Sequence, residues 1–424
     1  MKKKRYSNVH LPPIRISQRK SMDLVSFYQR ILSPPEPWFV SRVECYDNEK
    51  RVDVWLEHVP AKFRCEHCMA ECAVYDHAPE RAWRHLNSCE YQTFIHARIP
   101  RVTCPLCGVV NASVPFATPG LSVTLPMEEL SIKALQECTM TGAEGLLGVT
   151  ARKLQHIQET AVARGMERRK SNVSEIMGLD EKQVFARHKY FTIITDLKDG
   201  KVLDVLDTRK LDAITPWFKE RKHELKFTEV VALDMNAGYS SLAHSFMPNA
   251  DICFDRFHVM QVLNMAVDST RKEEQRTMDE EHRRQMFGAR YCFLYGKENL
   301  PDKSKEKFEQ AKSIARKTAK AWSIKEAFRD IWNLNPPDFE DGFKRWYWWA
   351  THSGLQYIAA AGKTLKRHFT GILNAVIHGV TNALTEGLNN KIEAIKRNAC
   401  GYRNKGNFRT AILFHCGKLD LLPQ

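Results

Sequence analysis

The chain of 424 residues contains no apolar run that approaches the ~18 residues needed to cross a bilayer, so no membrane partner is expected. Its basic opening, Met1-Lys2-Lys3-Lys4-Arg5, is followed by no hydrophobic segment, and a secretory signal peptide is therefore not expected. Internal repeats and low-complexity tracts are absent, which sets aside repeat arrays and compositional tails. Acidic residues are in short supply: 50 Asp and Glu stand against 64 Lys and Arg, a formal net charge of +14. That surplus points to a polyanion, nucleic acid first, because bound Lys and Arg release counterions; a basic soluble protein with no such partner is the bland alternative. Hydrophobic content of 43% and charged content of 27% are ordinary for a globular protein, and the length predicts roughly three domains. The twelve cysteines, with no export signal ahead of them, fit a reducing cytoplasmic setting where metal binding outweighs disulfides.

Residues 1–60 form a basic, proline-punctuated arm and an N-terminal segment in which Val52-Asp53-Val54-Trp55-Leu56 alternates as a strand. A zinc-binding domain is expected over 61–120. Cys65-x-x-Cys68 and Cys104-x-x-Cys107 are two turns that each aim two thiolates at one ion, and together they make a closed four-sulfur structural zinc site. Cys72, Cys89 and His67 are spare ligands, Met69 stands where a glycine is usual, and two unrelated buried pairs are the alternative. Arg81, Arg84, His85, Arg98 and Arg101 surround the site and are candidates to face phosphate. Residues 126–170 read as helical. Within them a short helix, a turn at Gly148 and a second helix from Ala151, with Thr150 as cap, match a helix-turn-helix, with a plain helical hairpin as the alternative. In the former, Arg152, Lys153 and Gln155 point towards bases or phosphates.

From residue 175 the period changes. Strands are predicted at Ile176–Glu181, Tyr190–Asp196, Val202–Leu206 and Glu229–Asp234, with a turn at Lys198-Asp199-Gly200 and a helix over Asp212–Glu224. Three strands, a helix and a fourth strand is the order of a ribonuclease-H-like mixed α/β sheet, spanning 175–260 and 380–415. A helical insertion over 261–379 carries five of the nine tryptophans. In that order Asp180 and Asp234 end neighbouring strands. Near the far end, Glu386 to Arg397 is an amphipathic helix with Leu388, Ile392 and Ile395 on one side and Glu386, Asn390, Glu393 and Arg397 on the other. Moving a DNA phosphodiester needs in-line attack and charge neutralisation on two oxygens, which two divalent ions about 3.5–4 Å apart supply. Hard ions such as Mg2+ or Mn2+ want a few carboxylates, and Asp180, Asp234 and Glu386 would provide them, Asp180 bridging. Strand-end aspartates also cap turns, and Glu181, Asp196, Asp255 and Glu393 are rival acids.

The chain resembles bacterial insertion-sequence transposases of the ISL-three type. The resemblance rests on Arg98 to Gly108, Gly178-Leu179-Asp180-Glu181, Ala232-Leu233-Asp234-Met235, Ala250 to Val259, Glu386 to Arg397 and Gly401-Tyr402-Arg403-Asn404, in colinear order. It implies a DDE triad of Asp180, Asp234 and Glu386, and an enzyme that binds the terminal inverted repeats of an insertion sequence, cleaves there and joins the freed end to target DNA, as a multimer near the bacterial nucleoid. Asp255-x-x-His258 is similar to an accessory motif that positions DNA or the third acid; a helix cap beside a buried histidine is the other reading. Arg152, Lys153, Lys391, Lys396 and Arg397 are the expected phosphate contacts, with Arg256, His258 and Asn390 beside them on the DNA side. An inactive DNA-binding regulator derived from such an enzyme, or a nuclease that cuts without joining, are the competing functions.

Overall fold

The structure, a computed structural model, describes residues 22–185, 189–379 and 383–424, with the side chains of residues 184, 185, 189 and 383–386 outside that description. Two compact units divide the chain, residues 1–157 with 422–424 and residues 158–421.

The first unit begins with α1 (Leu24–Leu32), capped by Asp23, whose carboxylate accepts from Ser26 N at 2.8 Å. A mixed sheet follows from β1 (Trp38–Tyr46) and β2 (Arg51–His58). The two-stranded β3 (Phe63–Arg64) and β4 (Glu71–Cys72) stand apart, and β5 (Val74–Arg84), β6 (Gln92–Cys104) and β7 (Gly108–Asn111) complete the large sheet. Its order is β1-β2-β6-β5, with β7 also on β6; β2 and β6 run parallel and the other pairs antiparallel. Along β6 the buried residues Thr93, Ile95, Ala97 and Ile99 alternate with more exposed ones, the period-two signature of a sheet with one covered face. Three helices close the unit: α2 (Leu125–Glu137), α3 (Met140–Leu147) and α4 (Ala151–Arg168), in which the chain passes to the second unit.

The second unit is built on β8 (Ile176–Phe185), β9 (Lys189–Asp196) and β10 (Lys201–Leu206), then α5 (Leu211–Glu220), α6 (Lys222–Leu225), β11 (Val230–Leu233), α7 (Ala237–Phe246) and β12 (Asp251–Phe254). The strand order β10-β9-β8-β11-β12 is that of a ribonuclease-H-like sheet, antiparallel across β10, β9 and β8 and parallel across β8, β11 and β12. The expected helix over 212–224 breaks at Arg221 into α5 and α6. The helical insertion comprises α8 (Arg256–Arg276), α9 (Glu280–Gln285), α10 (Arg290–Leu294), α11 (Asp302–Ile314), α12 (Arg316–Ile331), α13 (Pro336–Thr351), α14 (Gln356–Arg367) and α15 (Phe369–His378). One apolar core runs from Leu179, Val231 and Leu233 of the sheet to Phe328, Phe343 and Trp346 of the insertion. Helix α15 lies close on β12: a Cβ at Gly371 would come within 2.5 Å of the Phe254 ring, so only glycine allows that approach.

The sequence reading places one sheet-packing helix at the end; the structure has two, α16 (Ala383–Asn398) and α17 (Lys405–Cys416). Helix α17 is the one fastened to β10. Arg409 donates to Val205 O at 2.9 Å and to the Asp204 carboxylate at 2.7 Å, which also accepts Trp217 Nε1 at 2.9 Å. Phe408 and Phe191, both buried, pack with ring centroids 5.8 Å apart, each worth about 1.5–3 kcal/mol of burial.

Candidate functional site

Two clusters carry chemistry, one in each unit. In the first unit, the β3–β4 hairpin presents Cys65 and Cys68, and the β6–β7 hairpin presents Cys104 and Cys107. A bridge between Cys65 and Ala112, with Glu66 N donating to Asn111 O at 3.3 Å, draws the hairpins together. All four sulfurs lie within 4.8 Å of one another. Met69 adopts φ +60° and Gly108 φ +75°, so both knuckles make the left-handed turn, the first without glycine. The backbone N–H groups of Leu106 and Cys107 hold the Cys104 thiol down to about 6, while burial pushes the Cys107 thiol up to about 12, so the four thiols share their protons unequally. Of the spare ligands, Cys72 gives its S–H to Ala70 O at 3.4 Å, and the exposed His67 stands 3.7 Å from Glu66. Neither belongs to the converging set.

In the second unit, the parallel register does the placing. Leu179, Leu233 and Phe254 are level on β8, β11 and β12. The next residue on each is an aspartate: Asp180, Asp234 and Asp255. Asp234 and Asp255 follow the last residues of β11 and β12, whereas β8 runs on to Phe185 as the antiparallel partner of β9, so Asp180 lies mid-strand and not at the strand end the sequence suggests. Neighbouring strands run about 4.8 Å apart, so the three acids stand at one level across the sheet. Burial pushes the Asp255 carboxyl up to about 6, with the charges of Asp180 and Asp234 adding to it, against the Phe257 N–H and His258. Asp255 also caps α8, accepting from Phe257 N at 2.6 Å. His258 sits between acids, Nδ1 3.4 Å from Asp234 and Nε2 3.9 Å from Asp255, so the cap and the acid–histidine pairing coexist. Among the described residues these carboxylates do not close on one point as the cysteines do.

Helix α16 meets β8 beside them. Asn389 Nδ2 donates to Asp180 Oδ2 at 2.7 Å, and Lys182 Nζ reaches Asn389 O and Glu393 Oε1, each at 3.2 Å. Glu386 stands on α16 three residues before Asn389; its side chain lies outside the described residues. The rival acids have other partners. Glu181 points to the opposite sheet face, with Arg209 at 3.3 Å and Asn236 at 3.5 Å. Asp196 caps its hairpin, accepting from Lys198 N at 2.9 Å and Asp199 N at 3.0 Å. Asn389 is missing from the sequence reading, which dwells on its neighbours Asn390 and Lys391; its three-residue offset from Glu386 was the available signal.

The helix-turn-helix stretch forms α3, a Gly148 cap at φ +62° and α4. Thr150 O accepts from Leu154 N, while Ala151 N donates to Glu144 Oε1 at 3.1 Å, a cross-turn contact the sequence reading lacks. Arg152 and Lys153 are exposed on the first turn of α4, with Gln155 half-buried. Of the other expected DNA-side residues, Asn390 and Arg397 are exposed and Lys396 is half-buried, whereas Lys391 donates to His415 O at 2.8 Å. Arg256 turns to the insertion, donating to Asn333 Oδ1 at 3.3 Å beside a cavity of about 1070 Å³. Arg84 is a correction: it is 4% exposed and donates to Thr93 O and Asn87, holding a corner of the core instead of facing phosphate. Arg101 is paired with Asp76.

Residues 177–412 match the profile of the ISL3 family of DDE proteins, described as a transposase, and residues 61–107 match the zinc-finger of transposases IS204, IS1001, IS1096 and IS1165. The chain is 23% identical over 376 residues to the transposase for insertion sequence element IS1001 of Bordetella parapertussis, covering 87% of this chain and 93% of that one. It is 25% identical over 391 residues to the transposase for IS1557 of Mycobacterium tuberculosis, covering 85% and 87%. A Drosophila P element transposase strand transfer complex overlies 70% of this chain and 92% of its own at 11% identity and a TM-score of 0.39. With its catalytic-domain profile spanning more than half of the sequence and its zinc ribbon ahead of it, this chain belongs to the ISL3 family of transposases.

Proposed function

We propose that the protein recognises the terminal inverted repeats of an insertion sequence, cuts there and joins the freed 3′ end to target DNA, with Asp180, Asp234 and Glu386 as the acids that hold Mg2+ or Mn2+. The observation that carries the reading is the level placement of Asp180, Asp234 and Asp255 on three neighbouring parallel strands, Asp180 within β8 and the other two just past the ends of β11 and β12, with α16 fastened to the first by Asn389. Burial first, and the charges of Asp180 and Asp234 after it, raise the Asp255 carboxyl to about 6, and a cation among these acids would relieve the part due to charge. Two hard divalent ions held there would stabilise the attacking and leaving oxygens. The chain's own part is positioning. Asn389 orients Asp180, and His258 orients Asp234 with Asp255 behind it. Glu386 completes the set from α16. Glu393, paired with Lys182, is the weaker candidate for the third acid. Holding the phosphodiester in line with water, and later with the 3′-hydroxyl, needs no covalent enzyme–DNA intermediate.

In the first unit, the four cysteines would hold a structural zinc ion, and Arg152, Lys153 and Gln155 would meet the terminal repeat. Lys396, Arg397 and Asn390 would meet the strand near the acids. Two or more copies would act on paired ends. The test is metal-dependent nicking of a cognate terminus. Asp180→Asn, Asp234→Asn and Glu386→Gln should each lower the rate by at least about 10²–10³ and spare binding. Variants that nick at the parent rate would overturn the assignment. Nicking without strand-transfer products would leave a nuclease.

A further inference from the structure

We infer that Lys182 is a positioning residue, a clamp on β8 that fixes the rotation of α16 and so lets Asn389 orient the Asp180 carboxylate; the inference rests on the reading of Asp180 as an ion ligand. Side chains alternate along a strand, so Asp180 and Lys182 leave the same face of β8 while Glu181 leaves the other, where Arg209 and Asn236 meet it. On α16, Asn389 and Glu393 are four residues apart and share a face. The Lys182 ammonium spans the two, 3.2 Å from Asn389 O and 3.2 Å from Glu393 Oε1. The Lys182 side chain is 13% exposed and that of Glu393 41%, so water reaches the pair from the Glu393 side and its part is to set geometry more than to add stability. Two attachment points on one helix face fix azimuth and register together. A slip of one residue would turn that face by about 100° and carry the Asn389 amide away from Asp180 Oδ2, now 2.7 Å off. Position 386, one turn earlier on α16, depends on the same setting.

The experiment uses the full chain and Mn2+ as probe, reading Mn2+ affinity, amide exchange along α16 without divalent ion, and DNA affinity. Lys182→Met should weaken Mn2+ binding about 10–100-fold, the range for lost support behind a metal ligand, and speed exchange in α16 while DNA affinity holds. Lys182→Glu should be worse, and Lys182→Glu with Glu393→Lys should recover most of the loss, which a passive structural lysine would not show. Asn389→Leu, which leaves the ion pair in place, should weaken Mn2+ binding without the change in exchange, and it guards against a Lys182 variant that does not fold. Parent-like Mn2+ affinity in both Lys182→Met and Asn389→Leu, with Asp180→Asn having lost it, overturns the clamp. If Asp180→Asn itself binds Mn2+ like the parent, the reading of Asp180 fails instead, and unchanged exchange in Lys182→Met then overturns the clamp separately.

Discussion

The cysteine cluster and the acid cluster are built on opposite plans. Cys65, Cys68, Cys104 and Cys107 come from two tight hairpins, and their sulfurs already converge within 4.8 Å. Asp180, Asp234 and Asp255 come from three neighbouring strands ordered by a parallel register, with a helix from far along the chain laid against the first. The first is closed and fills its own coordination, as a site that holds a fold together must. The second is open, charged and dependent on distant elements, which suits the phosphodiester proposed for it. The difference teaches that local turn chemistry is enough to bring four thiols together, whereas the acids are aligned only when the whole sheet is correct first.

The largest expected effect breaks the closed cluster. Cys65 and Cys104 are core residues, packed with Trp38, Phe63 and Val102. Replacing Cys104 and Cys107 by Ser should remove bound zinc and unfold the first unit, since structural zinc contributes about 10–16 kcal/mol in small domains. Metal analysis with limited proteolysis checks it. Retained zinc and an intact first unit would erase the contrast between the clusters.

A smaller effect probes the open one. Burial pushes the Asp255 carboxyl up to about 6 in the folded chain, from an ordinary 3.8 in the unfolded one. Below the lower value it is protonated folded or unfolded, and ionisation costs the fold nothing. As the pH rises through the window the unfolded chain ionises first, so the folded chain progressively loses stability, and above about 6 it carries a buried charge. Asp255→Asn keeps the cap of α8, because asparagine caps as well as aspartate. In buffer free of Mg2+ and Mn2+ the variant should be more stable than the parent at pH 8, by roughly 2–3 kcal/mol, and equal to it near pH 3.5. Denaturant midpoints at the two pH values decide it; equal midpoints at pH 8 would mean that the acid edge carries no such strain.

The same contrast explains what was legible in the sequence. The cysteine pairs announce themselves by spacing, and Asp234 by following an apolar strand; Asp180 reads as a strand end only because the polar second half of β8, Lys182 and Gln183, hides that the strand runs on to Phe185. The strand order follows from the element order, since a parallel partner needs a crossover helix such as α5. What hid was whatever depends on one side chain meeting another across the fold. Asn389 looks like any polar helix residue until α16 is seated on β8. Lys182 goes unremarked in the sequence and Arg84 reads as a phosphate ligand, yet each is held by partners distant along the chain or by backbone carbonyls. Helix α17 was overlooked because Gly401 to Asn404 ends the recognisable motif, although Phe408, Ile412 and Leu413 behind it are buried.

The smallest predicted effect sharpens the division of labour between the two regions. Arg152 is exposed on the first turn of α4, and no ring or carboxylate on the first unit's sheet claims it the way Asp76 claims Arg101. If it meets one phosphate, Arg152→Ala should weaken DNA binding uniformly across sequences and lower the steepness of the salt dependence by about one. Cleavage per bound DNA should stay at the parent level, because the acids of the second unit's sheet are untouched. Asp180→Asn should show the mirror image, binding kept and cutting lost. Affinity titrations across a salt series, run beside single-turnover nicking, measure both. An unchanged salt slope in Arg152→Ala would move the phosphate contact away from the first turn of α4, and a loss of nicking per bound complex would mean that anchoring and cutting are not separable in this chain.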